Sequence, residues 1–195
     1  MIEAPAILLH IAAQFVHSDA YRGAITDIHL KSTSRGMRIA ATNGHFAFRC
    51  LAPFGPLCFM QTPEALIPAK TFKKKVAYAQ KAVINDGEAR FYGGKKEGMM
   101  DLLEARPCVS DNKDDFPSHF DSLWPDPANM ANAPARPVVF NSEYMRTICD
   151  IGAKLADSVN IKMCMGESPT SPLLLTTSLD DTELQFLLLP VMVRG

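Results

Sequence analysis

The sequence predicts an α+β fold made of repeated strand–helix–three-strand units, with helices on one face of antiparallel sheets. Three similar passages along the chain predict it, together with tight-turn signals at matching places in them and apolar spacing that switches between helical and alternating periods. The first passage opens at Pro5, a residue suited to the first turn of a helix. Ile7, Leu8, Ile11, Ala12, Phe15 and Val16 then recur at helical spacing. Extended stretches follow at 24–32 and 37–41, joined at Ser34-Arg35-Gly36, and Ile28 and Leu30 alternate there with His29 and Lys31. Asn43-Gly44 reads as a hairpin turn into a strand at 46–50.

The second passage repeats the order: a strand at 64–68, a helix at 69–80 with Phe72, Val76 and Ala79 on one side, then strands at 82–85, 88–92 and 99–108. A turn at Asp86-Gly87 and a loop at 93–98 separate these strands. An acidic loop at 111–115 leads to Phe116-Pro117 and on to Pro125. Residues 126–137, rich in Pro, Ala and Asn, read as a linker. In the third passage Asn141 is a suitable N-cap for a helix at 142–156, and strands are expected at 138–140, 160–165, 172–178 and 182–193. The predicted organisation is a two-unit domain at 1–125, the linker, and a single unit at 138–195.

Composition excludes several classes. The 195 residues are 47% hydrophobic and 21% charged, as in ordinary globular chains. The longest apolar runs, such as that at 187–193, are too short to span a bilayer, and Glu3 leaves no basic region ahead of Ile7-Leu8-Leu9. A cytoplasmic protein with no membrane partner is expected. The five cysteines form no CxxC pair and the five histidines are scattered, so no metal site and no cofactor are expected. The formal net charge of −1 argues against a protein that coats nucleic acid over its whole surface, though not against one basic face. Such a face is visible: Lys70, Lys73, Lys74, Lys75 and Lys81 surround Phe72 and Val76. The sequence contains no GxSxG, P-loop, HExxH or dinucleotide fingerprint, so no enzyme is expected. Were there one, Asp27 and His29 on one strand face would be its first candidate residues.

Five short segments, in order, resemble one family. Ala41-Thr42-Asn43-Gly44-His45 is similar to the "ATDGHR" turn in the middle domain of the bacterial DNA polymerase III β subunit, the sliding clamp. Phe116-Pro117 through Pro125 resembles the "FPDY" segment that closes that domain. Phe140-Asn141-Ser142-Glu143-Tyr144, Ser168-Pro169-Thr170-Ser171-Pro172-Leu173 and Leu189-Pro190-Val191-Met192 resemble the "FNxxYL" helix start, the "S…SP" turn and the terminal "MPMR" of the final domain. The resemblance implies the DNA-clamp, or processivity-factor, fold, with a whole middle domain but only half of a final one. Asn43 replaces the family's Asp, Phe46 its Arg, and Asp121 or Ser122 a usually basic position.

The resemblance also implies function: a non-enzymatic clamp that encircles double-stranded DNA without reading its sequence. A hydrophobic groove for peptides of DNA polymerase and clamp loader would comprise Thr42, Gly44, His45, Phe46, Pro117, Leu188, Leu189, Pro190, Val191 and Met192. Lys70, Lys73, Lys74, Lys75 and Lys81, joined by Arg146 and Lys154 of the third helix, would face DNA. Lysines suit sliding because they act as mobile point charges rather than rigid forks. A homo-oligomer is expected, as a dimer or a tetrameric ring, because three units fall short of the twelve in a clamp ring. The third unit, without its usual companion, is expected to expose Ile148, Ile151 and Leu155 and to pair with its copy. The alternative is a non-encircling regulator that keeps the groove and sequesters clamp-binding proteins.

Overall fold

The computed structural model describes residues 1–17, 25–96, 99–110, 116–125, 140–155, 161–165, 171–180 and 182–190. The expected acidic loop and linker, the extended start at 138–139, and Val191 and Met192 lie outside these residues. The first unit consists of β1 (Ile2–Pro5), α1 (Ala6–Ala12), β2 (Asp27–Thr33), β3 (Gly36–Thr42) and β4 (Phe46–Ala52). The second consists of β6 (Glu64–Pro68), β7 (Lys81–Asn85), β8 (Glu88–Lys96) and β9 (Met99–Pro107), with a short β5 (Phe59–Met60) before it. The third consists of α2 (Ser142–Leu155), β10 (Lys162–Met165), β11 (Leu173–Leu179) and β12 (Thr182–Leu188). Asn141 caps α2 as the sequence suggested, its side-chain oxygen accepting the Glu143 amide at 2.8 Å.

The strands form two antiparallel sheets, ordered β5-β1-β7-β8-β9 and β10-β11-β12-β4-β3-β2-β6. The first strand of each of the first two units crosses to its neighbour's sheet: β1 pairs with β7, and β6 with β2. That exchange binds the two units, since neither sheet is complete without a strand from the other. The third unit extends the larger sheet, because β12 pairs with β4 from Leu184↔Cys50 to Leu188↔Phe46. β1 and β5 were not foreseen, and most of the loop expected at 93–98 is the end of β8.

The helix expected at 69–80 does not form. Only one 3-10 turn, Ala69–Thr71, occurs there. Phe72 and Val76 are buried as their spacing implied, but the backbone between them is held from outside. His10 Nδ1 meets the Phe72 carbonyl at 2.9 Å, and Arg106 Nη1 donates to the carbonyls of Thr71 and Lys74 at 2.8 and 2.7 Å. Carbonyls held by side chains in this way do not require i→i+4 amide partners, so helical periodicity here reflects burial without a helix.

One main core lies between the sheets and helices. Phe15 packs on Phe46, Phe48 and Phe186, joining the first and third units. Ile148 and Ile151, expected to face solvent, are 0% and 8% exposed in that same core. The third unit therefore buries this face within its own chain, which removes the reason for pairing third units between copies.

Candidate functional site

A hollow of about 360 Å³ opens where the β3–β4 turn, the 117–123 segment and the end of β12 meet. Thr42, Gly44, His45, Phe46, Pro117 and Leu189 line it, all from the residue set expected for the groove. The turn is built by side-chain acceptors. Asn43 Oδ1 accepts the amides of His45 and Phe46 at 2.9 and 3.0 Å, and Thr42 Oγ1 accepts that of Gly44 at 3.0 Å. Gly44 has φ +90°, a conformation that side chains resist. The turn asks of residue 43 only an oxygen acceptor, so Asn serves where the resembling family has Asp. Across the hollow, the Leu189 amide donates to the His45 carbonyl at 3.0 Å, tying the end of β12 to this turn.

The far wall is the 116–124 segment, held on the outer face of the larger sheet. Phe120 and Trp124 are buried with Ala40, Ala47, Leu174 and Leu187 in a second, smaller cluster. The Arg49 guanidinium lies 4.2 Å over the Trp124 ring, Arg38 forms an ion pair with Asp121, and Phe116 stacks on His29 at 4.4 Å. Asp121, one of the two residues that could stand at the family's usually basic position, thus serves to clamp this wall. His29 also bonds Glu64 through Nε2. Burial lowers its pKa, outweighing the Glu64 carboxylate, and Arg38 and Lys31 add to the lowering.

Strand alternation corrects one expected lining residue. Leu188 is fully buried in the main core, on the opposite sheet face from Leu187, which lines the hollow. Phe46 lines the hollow too, but its ring stacks on Tyr144 at 4.3 Å and packs on Phe15, facing largely inward. Pro190 follows β12 and is half-buried. Ile25, Ala47, His119, Phe120, Leu123 and Leu187 also line the site and were not anticipated. The period of two in β12 would have identified Leu187; the others depend on how the segments cross.

The basic residues fall on another face. Lys70, Lys73, Lys74 and Lys75 are exposed along the irregular segment, and Arg146 is exposed on α2. Lys75 shares a crevice of about 330 Å³ with Ile7 and His10 of α1, with Gln14 just after that helix, and with Thr147 and Asp150 of α2. Both helices and this segment therefore meet at one surface. Lys81 is an exception: it is half-buried and bonds Glu3 at 2.8 Å, which commits its charge to a carboxylate. The Lys154 side chain lies outside the description.

Asp27 and His29, the first candidates were this an enzyme, have structural partners. Asp27 accepts from the Ser110 hydroxyl, and His29 is enclosed by Glu64, Phe116 and Arg38. Cys50, Cys58 and Cys108 are buried, with thiol pKa values pushed up by desolvation, that of Cys108 to about 11. Such thiols are poor nucleophiles. Among the described residues no cluster of His, Cys, Asp or Glu is placed to hold a metal ion, and no helix is long and apolar enough to cross a membrane.

This arrangement of sheets is that of the DNA polymerase sliding clamps. The fold matches the sliding clamp of Bacillus subtilis over 99% of this chain, with a TM-score of 0.64 and 16% identity. It also matches DNA polymerase III subunit beta of Borrelia burgdorferi over 99%, with a TM-score of 0.69 and 12% identity, and the sliding clamp of Bartonella birtlesii over 98%, with 0.64 and 16%. The chain covers 64%, 63% and 65% of those proteins, a little under two thirds of a clamp. No protein-family model and no curated sequence matches. The likeness to the bacterial β clamps is thus one of fold, over a little under two thirds of their length.

Proposed function

We propose that this protein is a cytoplasmic, non-enzymatic sliding clamp that assembles around duplex DNA and receives polymerase and clamp-loader peptides in the hollow beside His45. The convergence of three separated segments on one apolar-floored hollow carries the reading. Leu187, Phe120 and Leu123 offer apolar contacts there, while His45 and His119 supply polar ones at the rim. The surface shared by α1, α2 and Lys70, Lys73, Lys74 and Lys75 is the DNA-facing side in this reading. Arg146 joins them, whereas Lys81 contributes little beyond its bond to Glu3.

The test is retention on nicked circular DNA, which only a closed ring resists losing. The protein should remain on circles, run off when they are linearised, and leave faster as salt rises. Replacing Lys73, Lys74 and Lys75 together by Glu should reduce retention at least about tenfold, because each phosphate contact contributes to the salt-dependent term. Equal retention of variant and parent would remove the DNA-facing assignment.

Assembly between copies is proposed at β9. Within the chain, β4 and β12, each the last strand of its unit, pair antiparallel. β9 is the last strand of the second unit and an outer edge of its sheet, with Met100, Leu102 and Leu103 exposed. Long apolar edges of this kind favour pairing with another strand. Light scattering should show a dimer or tetramer, and Leu102→Lys with Leu103→Lys should shift it toward monomer. A parent that stays monomeric at micromolar concentration would rule out the ring.

A further inference from the structure

We propose that Tyr78, with Lys75, forms a stacking subsite for an unpaired base of single-stranded nucleic acid. The inference rests on the proposed DNA-facing role of the lysine segment and adds a ligand class to it.

Tyr78 combines features that neither folding nor packing explains. It is 80% exposed, so its ring gains little from burial. Its φ is +62°, a region that bulky residues avoid and that Gly or Asn would occupy at lower cost. The conformation is nevertheless built in. A Cβ on Gly93 would lie 2.1 Å from the Tyr78 carbonyl oxygen, so the absence of a side chain at 93 lets the turn close against β8. The Gln80 amide donates to the Tyr92 carbonyl at 2.9 Å and fixes the far side of the turn. An aromatic ring held out on strained, buttressed backbone is suited to contact something outside the chain.

The surroundings favour an anion with a flat apolar face. Tyr78 and Lys75 line one open hollow of about 620 Å³ with Ile7, Gln80 and Gly94. Lys73 and Lys74 are exposed just before them in the same segment. Glu104, the carboxylate on which Lys74 acts, is already bonded to Arg106. A nucleotide offers both partners these groups suit: a phosphate for the ammonium groups and a base for the ring. In duplex the base faces are hidden within the stack, so a stacking ring selects unpaired nucleotides.

The experiment is fluorescence anisotropy with a labelled oligothymidylate and with a duplex of equal length, using the full chain. Tyr78→Ala should weaken oligothymidylate binding by about five- to a hundred-fold, the range for one base–aromatic stack, and leave duplex affinity within about twofold. Tyr78→Phe should keep the parent's affinity, because the ring remains. Tyr78→Gly should bind as poorly as Tyr78→Ala yet unfold at a higher temperature, since it relieves the positive φ. That opposite pair of effects separates a binding role from a folding one, even if Tyr78→Ala proves unstable. A parent that does not bind oligothymidylate, or a Tyr78→Gly variant that binds it as well as the parent, would overturn the subsite. Equal losses on single strand and duplex would overturn it too, while leaving the DNA-facing surface in place. Failure of the parent on circular duplex alone would end the clamp reading and leave the subsite standing.

Discussion

Phe186→Ala is expected to destabilise the protein by about 3–5 kcal/mol, the cost of removing a buried aromatic ring and leaving a cavity. For a chain of this length, each kcal/mol lowers Tm by about 2–4 °C, so a fall of roughly 6–20 °C should appear in calorimetry. The effect is large because of where the ring sits. Phe186 lies in β12 opposite Phe48 of β4, and its centroid is 5.6 Å from those of Phe48 and Phe15. The three rings therefore join β4, β12 and the segment that follows α1, and with them the first and third units. Phe59→Ala, at an exposed ring in β5, should cost far less and serves as the control. A single transition that moves as a whole would show one cooperative core. Two transitions, of which only a minor one moves, would mean that the third unit folds apart from the rest.

What the sequence revealed follows from how local each determinant is. The Asn43-Gly44 turn was legible because Asn43 supplies its own acceptor and Gly44 its own positive φ, with no distant partner required. The same holds for the start of α2, where Asn141 caps the helix. The 116–125 segment was recognised by resemblance alone, and its hold on the sheet depends on Arg38, Arg49 and His29, far away in sequence. The segment at 69–80 misled because Phe72 and Val76 satisfy a helical period while His10 and Arg106 take the carbonyls. No reading of the twelve residues themselves could reveal those donors. Exposure of the third unit was misjudged for a related reason. A count of three units implies a missing companion for the third, whereas β12 extends the first unit's sheet and brings α2 over the shared core. Lys81 looked like part of a basic face, yet the pairing of β1 with β7 sets it opposite Pro5, within reach of Glu3.

Removing residues 190–195 should weaken a peptide carrying one Gln and two large hydrophobic residues at least about a hundredfold, a loss near 2.7 kcal/mol. Fluorescence anisotropy with a labelled polymerase-tail peptide measures it. The end of β12 and the residue after it serve two surfaces. Leu188 faces the main core, whereas Leu187 forms part of the hollow's floor and Leu189 part of its wall. Pro190 has no amide to donate, so it suits the end of a strand. In the proposed groove each apolar side chain of the peptide that is fully covered contributes about 1.5–3 kcal/mol, and the resemblance to the clamp family assigns part of that cover to the residues after Pro190. The core should hardly notice the deletion, because Phe186, Leu187 and Leu188 all remain and chain ends tolerate truncation better than cores do. Unfolding temperature should therefore stay within about 2 °C of the parent, which separates loss of the groove from loss of the fold. Leu189→Asp provides an independent check, placing a charge in the wall while keeping the backbone amide that bonds the His45 carbonyl. Should both variants bind the peptide as tightly as the parent, the peptide site lies elsewhere and the hollow beside His45 is not the groove.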